Sequence, residues 1–371
     1  MKYEIKVFSE FNEELKEHWM RLETHSNNYC FQSYDWFKNW VKIFNLNNKN
    51  NSIYFITILS KSEVYGIFPF EIEIKLGLKI LRWAGANQSD YCSPILNKKF
   101  FTDKEIFLDL WKKIIKSLPP IDLIYLNRQP KFIESINNPF VSCLKNYKDS
   151  NTYNILLPKS WDEYVKKILK KNFFLQNERK KNQLRKLGKL KFKIAASKNE
   201  KNKFIDELIL QKNNKLKLSG NKNIFKENSL SFYKNFENIN LSNIKTHICA
   251  LSLNEELIAI HWGIIYEKRF YYLLLSMKEG ELDRYSPGRL LIALLIRWSI
   301  SKKIKIFDFT LGEENYKKNW SNNTSELYNY IKLITLRGFI LYYLIKIKLI
   351  IKSLNNNNVF KKTAFFIKKI F

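Results

Sequence analysis

Few residues in this chain can hold a metal or close a cross-link. Only four cysteines and four histidines occur among 371 residues. Cys30, Cys92, Cys143 and Cys249 stand singly, with no CxxC pair. That pattern argues against a zinc cluster or a disulfide framework and for a reducing compartment. Acidic side chains are also scarce: 35 Asp and Glu face 64 Lys and Arg, a formal charge of +29. The longest apolar stretches, such as Phe339–Ile345, fall far short of the roughly 20 residues that span a bilayer. Met1–Val7 leads straight into folded-looking sequence without a signal-peptide apolar core, so a cytoplasmic protein, soluble or bound to a surface, is expected.

What is present points to an ordinary folded protein. Apolar residues make up 45%, with 28 Phe and 20 Tyr, which excludes a mostly disordered chain. The length allows two domains. The positive charge is carried almost wholly by Lys, mixed with many Asn, as an AT-rich coding sequence produces. It is uneven, however. Residues 159–203 hold 16 Lys and Arg against four acids, and residues 331–371 hold nine against none. Either stretch suits phosphates or anionic lipid.

Periodicity and turn residues divide the chain near residue 150. Strand Lys2–Phe8, helix Glu10–His25, a short helix around Trp36 and Trp40, and strands Ile53–Ser60 and Glu63–Ile74 open the first half. Helix Thr102–Leu118, with Thr102 as cap, and strand Asp122–Asn127 follow. The Asn-rich stretch from Asn45 is a break. The second half reads as strand Thr152–Leu157, a long helix from Trp161 to about Leu187 ended by Gly188, and strand Leu190–Ala196. Helices Lys201–Leu218 and Ser229–Glu237 flank a loop with Gly220. A meander, His247–Leu253, Leu257–Tyr266 and Arg269–Met277, leads to helix Pro287–Lys303, strand Ile304–Phe309 and strand Leu327–Leu336. The expected class is α/β with mixed sheets: two tandem halves, 1–150 and 151–336, and a basic, apolar helical tail over 337–371.

Residues 284–320 are the most informative. Ser286 is a good N-cap, and Pro287 is favoured in a helix's first turn. The helix start offers free N–H groups and the positive end of the dipole, which suits a phosphate. The parallel strand that follows delivers Asp308 near its C-terminal end, where open α/β sheets place their ligands.

The element order of the second half is the plan of a GNAT acyltransferase. Ser286-Pro-Gly-Arg-Leu-Leu291, Asp308-Phe with Gly312, and Tyr316-Lys-Lys-Asn-Trp320 resemble the signature of CelD-like acetyltransferases, bacterial proteins associated with cellulose and other exopolysaccharide synthesis. Gly263, Tyr272 and the basic helix containing Arg179, Lys180 and Arg185 fit the same family. So do Phe31-Gln-Ser33, Trp36, Trp40, Gly85 and Ser89-Asp90-Tyr91. The resemblance covers roughly residues 5–340. The domain is also similar to FemAB-type peptidyltransferases, which pair two GNAT-like halves and use aminoacyl-tRNA. One departure is visible: where GNAT proteins carry a Q/R-x-x-G-x-G/A loop, this chain has Asp283-Arg-Tyr-Ser-Pro-Gly288-Arg. One glycine is kept, and Pro287 lacks an N–H for a phosphate; Arg284 and Arg289 are placed to compensate.

The resemblance implies acetyl-CoA, or another acyl-CoA, as donor, no metal, and a sugar or glycan-precursor acceptor. Ser286, Gly288, Arg289 and Arg284 would hold the donor's pyrophosphate. Backbone N–H groups around Leu275–Met277 would form an oxyanion hole. Asp308 is a candidate base or an anchor for the turn at Tyr316–Trp320. Tyr316 and Lys317 are candidates for catalysis or for meeting the acceptor. His261, a lone strand histidine, is a candidate base or a packing residue. Glu313 and Glu314 are weaker candidates. Asp90, Tyr91 and Trp320 are expected at the acceptor, whereas Trp36 and Trp40 read as core. Residues 166–193 form a solvated basic face or, under the aminoacyl-tRNA reading, the tRNA contact. The tail either packs on the domain or touches the anionic inner-membrane surface.

Overall fold

A computed structural model describes residues 3–26, 28–44, 51–100, 103–218, 227–239 and 241–354. The Asn-rich stretch 45–50, Thr102, the loop at Gly220 and the tail beyond residue 354 lie outside the described residues. The chain forms two compact units: residues 1–41, 45–151 and 325–371, and residues 42–44 and 152–324.

The first unit holds β1 (Glu4–Phe8), α1 (Glu13–His25), most of α2 (Tyr34–Phe44), β2 (Asn51–Ser60), β3 (Glu63–Lys75), β4 (Leu78–Trp83) and the short β5 (Ile95–Leu96). It continues with α3 (Lys104–Ser117), β6 (Leu123–Pro130), the small hairpin β7 (Phe132–Ile133) and β8 (Ile136–Asn137), and α4 (Pro139–Cys143). Strand β9 (Asn146–Leu156) carries the chain into the second unit. There follow α5 (Trp161–Lys167), α6 (Lys171–Arg185), β10 (Leu190–Ile194), α7 (Lys198–Leu218), α8 (Glu227–Asn235), β11 (Ile244–Leu253), β12 (Glu256–Tyr266) and β13 (Arg269–Met277). The unit ends with α9 (Pro287–Ser301), β14 (Ile306–Leu311) and α10 (Asn315–Lys318). Strand β15 (Asn323–Leu333) then returns the chain to the first unit, which α11 (Phe339–Leu354) completes.

The two units share one plan. In the first, β1-β2-β3-β4 form an antiparallel series, β6 joins β4 in parallel after a crossover through α3, and β15 pairs antiparallel on β6. In the second, β10-β11-β12-β13 form the same series, β14 joins β13 in parallel after α9, and β9 pairs antiparallel on β14. Two helices separate the first two strands in both: α1 and α2, then α7 and α8. No sequence-level repeat marks this. The shared feature is periodicity, because each strand and helix needs only one apolar face toward its own core.

Local chemistry explains the elements. Helix α1 is capped by Asn12, whose side chain accepts from the Leu15 N–H, and it buries Leu15, Trp19 and Leu22 at helical spacing. Helix α3 buries Phe107, Leu110, Trp111 and Ile114 against a cluster with Phe68, Phe70, Trp83 and Phe140. Its cap is Asp103 rather than Thr102. Helix α9 lays Leu290, Leu291, Leu295 and Ile296 on a second core with Phe270, Tyr272, Phe307 and Phe309.

Three expectations change. The helix from Trp161 is two helices: the N–H groups of Ile168 and Leu169 both reach the Tyr164 carbonyl, and Leu169 turns into the core. The return strand is Asn323–Leu333 rather than Leu327–Leu336, and from residue 325 it belongs to the first unit, because its residues pair with β6. The boundary expected at residue 336 therefore falls at 324/325, and the helix of the tail packs in the first unit too.

Candidate functional site

The second unit opens a gap between β13 and β14. The two strands pair at only three positions, Arg269 with Ile306, Phe270 with Phe307 and Tyr271 with Asp308. Beyond them Thr310 takes a left-handed conformation (φ 56°) at a bulge, and β14 turns away. From Tyr272 to Met277, β13 keeps only β12 as a partner. Its other edge presents backbone N–H and C=O groups without a strand to receive them, the property an oxyanion hole requires.

Helix α9 starts beside this edge. Ser286 sits in the left-handed region (φ 54°) and its side chain makes no capping hydrogen bond; its carbonyl accepts from the Arg289 and Leu290 N–H groups at 3.0 and 3.2 Å. The expected Ser286 cap is therefore absent. The Gly288 N–H points at the Met277 sulfur, 3.2 Å away, a weak acceptor. A Cβ on Gly288 would stand 2.4 Å from that sulfur and 3.1 Å from Leu275 Cδ2. Glycine is what lets the helix start lie this close to β13.

Cations converge on the same point. Lys180 of α6 donates to Ser286 Oγ at 2.6 Å. Arg289 lies 3.9 Å over the Phe173 ring, donates to the Phe173 carbonyl at 3.1 Å, and keeps its Nε buried without a partner. Burial lowers the Lys180 pKa, and the nearby Arg289 charge lowers it further; burial also lowers that of Arg289. Two like charges held together without a carboxylate between them are an anion site in waiting. Arg284 is exposed and stacks on Tyr285. Lys180 was not among the residues expected at the helix start; the structure places it beside Ser286. The first unit's counterpart is closed: Asp103 Oδ1 accepts from the Glu105 and Ile106 N–H groups at the start of α3, putting a carboxylate where a phosphate would go.

The expected catalytic residues fall into different places. Asp308 is fully buried. Its Oδ2 accepts from Arg269 Nη1 at 2.8 Å and its Oδ1 from the Thr310 N–H at 2.7 Å. Those bonds fix the bulge that opens the gap. Lys317 is buried as well, donating to the Leu311 carbonyl at 2.6 Å beside Glu314 at 3.0 Å. It clamps the turn at Gly312, whose φ of 126° suits glycine. Tyr316 is partly exposed at the end of β14; burial, then the Glu314 charge, raises its pKa. The Tyr272 hydroxyl is buried without a hydrogen-bond partner, and burial, then Tyr316, raises its pKa.

Trp320, His261 and Tyr91, all expected at the site, are buried in the core. Trp320 is fully buried with its ring against Phe173, and its carbonyl accepts from the Tyr164 hydroxyl. His261 is fully buried and stacks on Tyr272, centroids 4.3 Å apart. In the first unit, Tyr91 is buried among Tyr29 and Phe31 while Asp90 is half-buried. Trp36 and Trp40 are core, as expected.

His261 belongs to a group that no CxxC pair marks. The ligand atoms of His247, Cys249 and His261 lie within 4.8 Å of one another. Both imidazoles have unpaired ring nitrogens; burial pushes His247 down to about 4 and holds His261 well below the usual histidine range. Among the described residues no fourth His, Cys, Asp or Glu joins them, and Phe270 and Trp298 close over the rings. A concavity of about 760 Å³ lies at α7 and the turn between β11 and β12. Its lining includes Asp206, Glu207, Glu255 and Glu256, the wrong sign for a phosphate.

Residues 173–318 match a family described as an acetyltransferase (GNAT) domain. No protein of curated function matches the chain. Among solved structures, FemX superposes with a TM-score of 0.57 at 13% identity, over 91% of this chain and 99% of that one. L-PGS from Bacillus licheniformis gives 0.52 at 10%, over 92% and 97%. A conserved protein of unknown function from Bacteroides thetaiotaomicron gives 0.51 at 10%, over 89% and 100%. At such identities these likenesses show the fold, which is GNAT-like and mixed α/β.

Proposed function

We propose that the second unit is an acyltransferase that takes acetyl, or another acyl group, from a coenzyme A thioester. The acceptor is an amine or hydroxyl of a sugar in a precursor of surface polysaccharide. The observation that carries the donor assignment is the coincidence, at one point, of the splayed β13 edge, the start of α9 where the Gly288 N–H meets only the Met277 sulfur, and the unneutralised pair Lys180 and Arg289. The pyrophosphate would meet the helix start and the two cations. The acyl carbonyl would lie along the Leu275–Met277 edge, whose N–H groups stabilise the negative charge that develops on its oxygen. The acceptor's nucleophile attacks that carbonyl, its proton passes to solvent or to an exposed carboxylate such as Glu313, and the thiol leaves. Tyr316, at the open end of β14, is the side chain best placed to return a proton to the leaving sulfur. Asp308 and Lys317 act by holding the gap open. The sugar acceptor rests on the resemblance of residues 286–291, 308–312 and 316–320 to the CelD-like signature.

A second reading takes the acyl group from aminoacyl-tRNA, and the FemX-like fold together with the basic α6 favours it. Calorimetry of the purified protein with acetyl-CoA, and with charged and uncharged tRNA, at 150 mM salt separates the two. Saturable acetyl-CoA binding and only salt-sensitive, charge-state-blind tRNA binding are expected. Tight binding of charged tRNA alone would replace the coenzyme A reading.

A further inference from the structure

Helix α11 has two apolar faces, and only one is used. Leu341, Ile345 and Leu349 are buried against Ile80, Leu123 and Ile331 of the first unit's sheet. The start of the helix is pinned: Asp122 accepts from the Thr335 hydroxyl and the Lys79 N–H, and Arg337 donates to the Gly77 carbonyl. A second stripe, Ile340, Tyr343 and Ile347 of α11 with Leu336 in the turn just before it, faces away. These residues are 86%, 73%, 43% and 46% exposed. Leu76, next to Gly77, adds another at 81%. Isolated exposed leucines are ordinary, but a contiguous stripe on a pinned helix is not.

The charge around the stripe selects its occupant. The turn and helix over residues 336–354 carry Arg337, Lys346, Lys348 and Lys352 and no acid. Lys346 is held at the rim, its ammonium 5.6 Å over Tyr342 and 5.7 Å over Tyr343. An aromatic and aliphatic face bordered by lysines, without a carboxylate, matches the boundary between acyl chains and anionic headgroups. No helix among the described residues is long and apolar enough to cross a membrane, so the contact lies in the surface plane. We infer that α11 and the turn before it dock the protein on an anionic lipid bilayer through Leu336, Ile340, Tyr343 and Ile347, with Lys346 and Arg337 over the headgroups.

The test is flotation of the full-length protein with vesicles of phosphatidylcholine alone or with 30% phosphatidylglycerol. Co-flotation with the anionic vesicles, weakened in 0.5 M salt, is expected. Ile340→Asp/Ile347→Asp, whose targets are exposed, should lower partitioning at least tenfold with an unchanged melting temperature. Lys346→Glu alone should lower it severalfold, and it removes no packed side chain. Three results would overturn the inference: no flotation with anionic vesicles, flotation unchanged in both variants, or a concentration-dependent dimer that the double variant dissolves while neither protein floats. The last would assign the stripe to a second copy of the chain.

Discussion

Lys180 and Arg289 offer the sharpest test of the donor site. Each stands ready to make a charge-assisted hydrogen bond to phosphate, worth about 1.5–3 kcal/mol. Lys180→Met keeps the apolar stem and removes the charge, so the expected loss in coenzyme A affinity is roughly 10- to 150-fold. Arg289→Met should cost a similar factor. The double variant should lose less than the product, because removing one cation relieves the other of repulsion in the free protein. Pantetheine, which lacks the phosphates, should bind all the proteins alike. A proton signature accompanies this. The Lys180 pKa is lowered in the free protein by burial and by Arg289, and a bound phosphate raises it again. Binding at alkaline pH should therefore take up protons, visible as a buffer-dependent enthalpy that Lys180→Met abolishes. The same shift makes the free fold gain stability as pH rises from the lowered value toward the unfolded one, since there the unfolded chain holds the extra proton. Coenzyme A affinity within twofold of wild type in both single variants would refute the placement.

Three further outcomes follow from the packing. Asp308→Asn breaks the buried ion pair with Arg269 and should destabilise the protein by about 3–5 kcal/mol; unchanged unfolding in urea with lost turnover would instead make Asp308 catalytic. His261→Phe removes two unpaired ring nitrogens from an aromatic stack and should leave the melting temperature level or higher, with activity retained. Lost activity at full stability would give the imidazole a chemical role. Burial raises the Glu71 carboxyl to about 7, with Arg82 opposing. The folded state thus holds a proton that the unfolded chain releases near 4.5, and stability should fall as pH rises from about 4.5 to 7. Glu71→Gln should flatten that slope in pH-dependent denaturation; an unaltered slope would place its origin elsewhere.

The site was legible where its chemistry is local. Ser286-Pro-Gly288 announces a helix start and a close approach within three residues, and the strand to Gly312 follows in register. Lys180 was not legible as a neighbour of the α9 start, because 106 residues separate it from Ser286 and its helix reads as one of several lysine-rich faces. Asp308 looked like a base because sequence shows a carboxylate at a strand end but not Arg269 on the neighbouring strand. The break at Ile168–Lys170 has no glycine or proline to mark it; tertiary burial of Leu169 makes it. The His247, Cys249 and His261 group was within reach. His247 and Cys249 alternate onto one face, and folding the hairpin about Asn254–Glu255 sets His261 opposite Cys249.

The return of β15 to the first unit has a consequence for synthesis. Leu123 of β6 waits for Leu333, which emerges from the ribosome about 10–40 s later at ordinary translation rates. The second unit has all six of its strands once Leu311 is made. The later-encoded unit therefore closes first, while β6 is held with one edge open to any passing strand. A message cut short between residues 312 and 324 would release a chain with a complete second sheet and an unfinished first one, a product that chaperones would bind through the half that was made earliest.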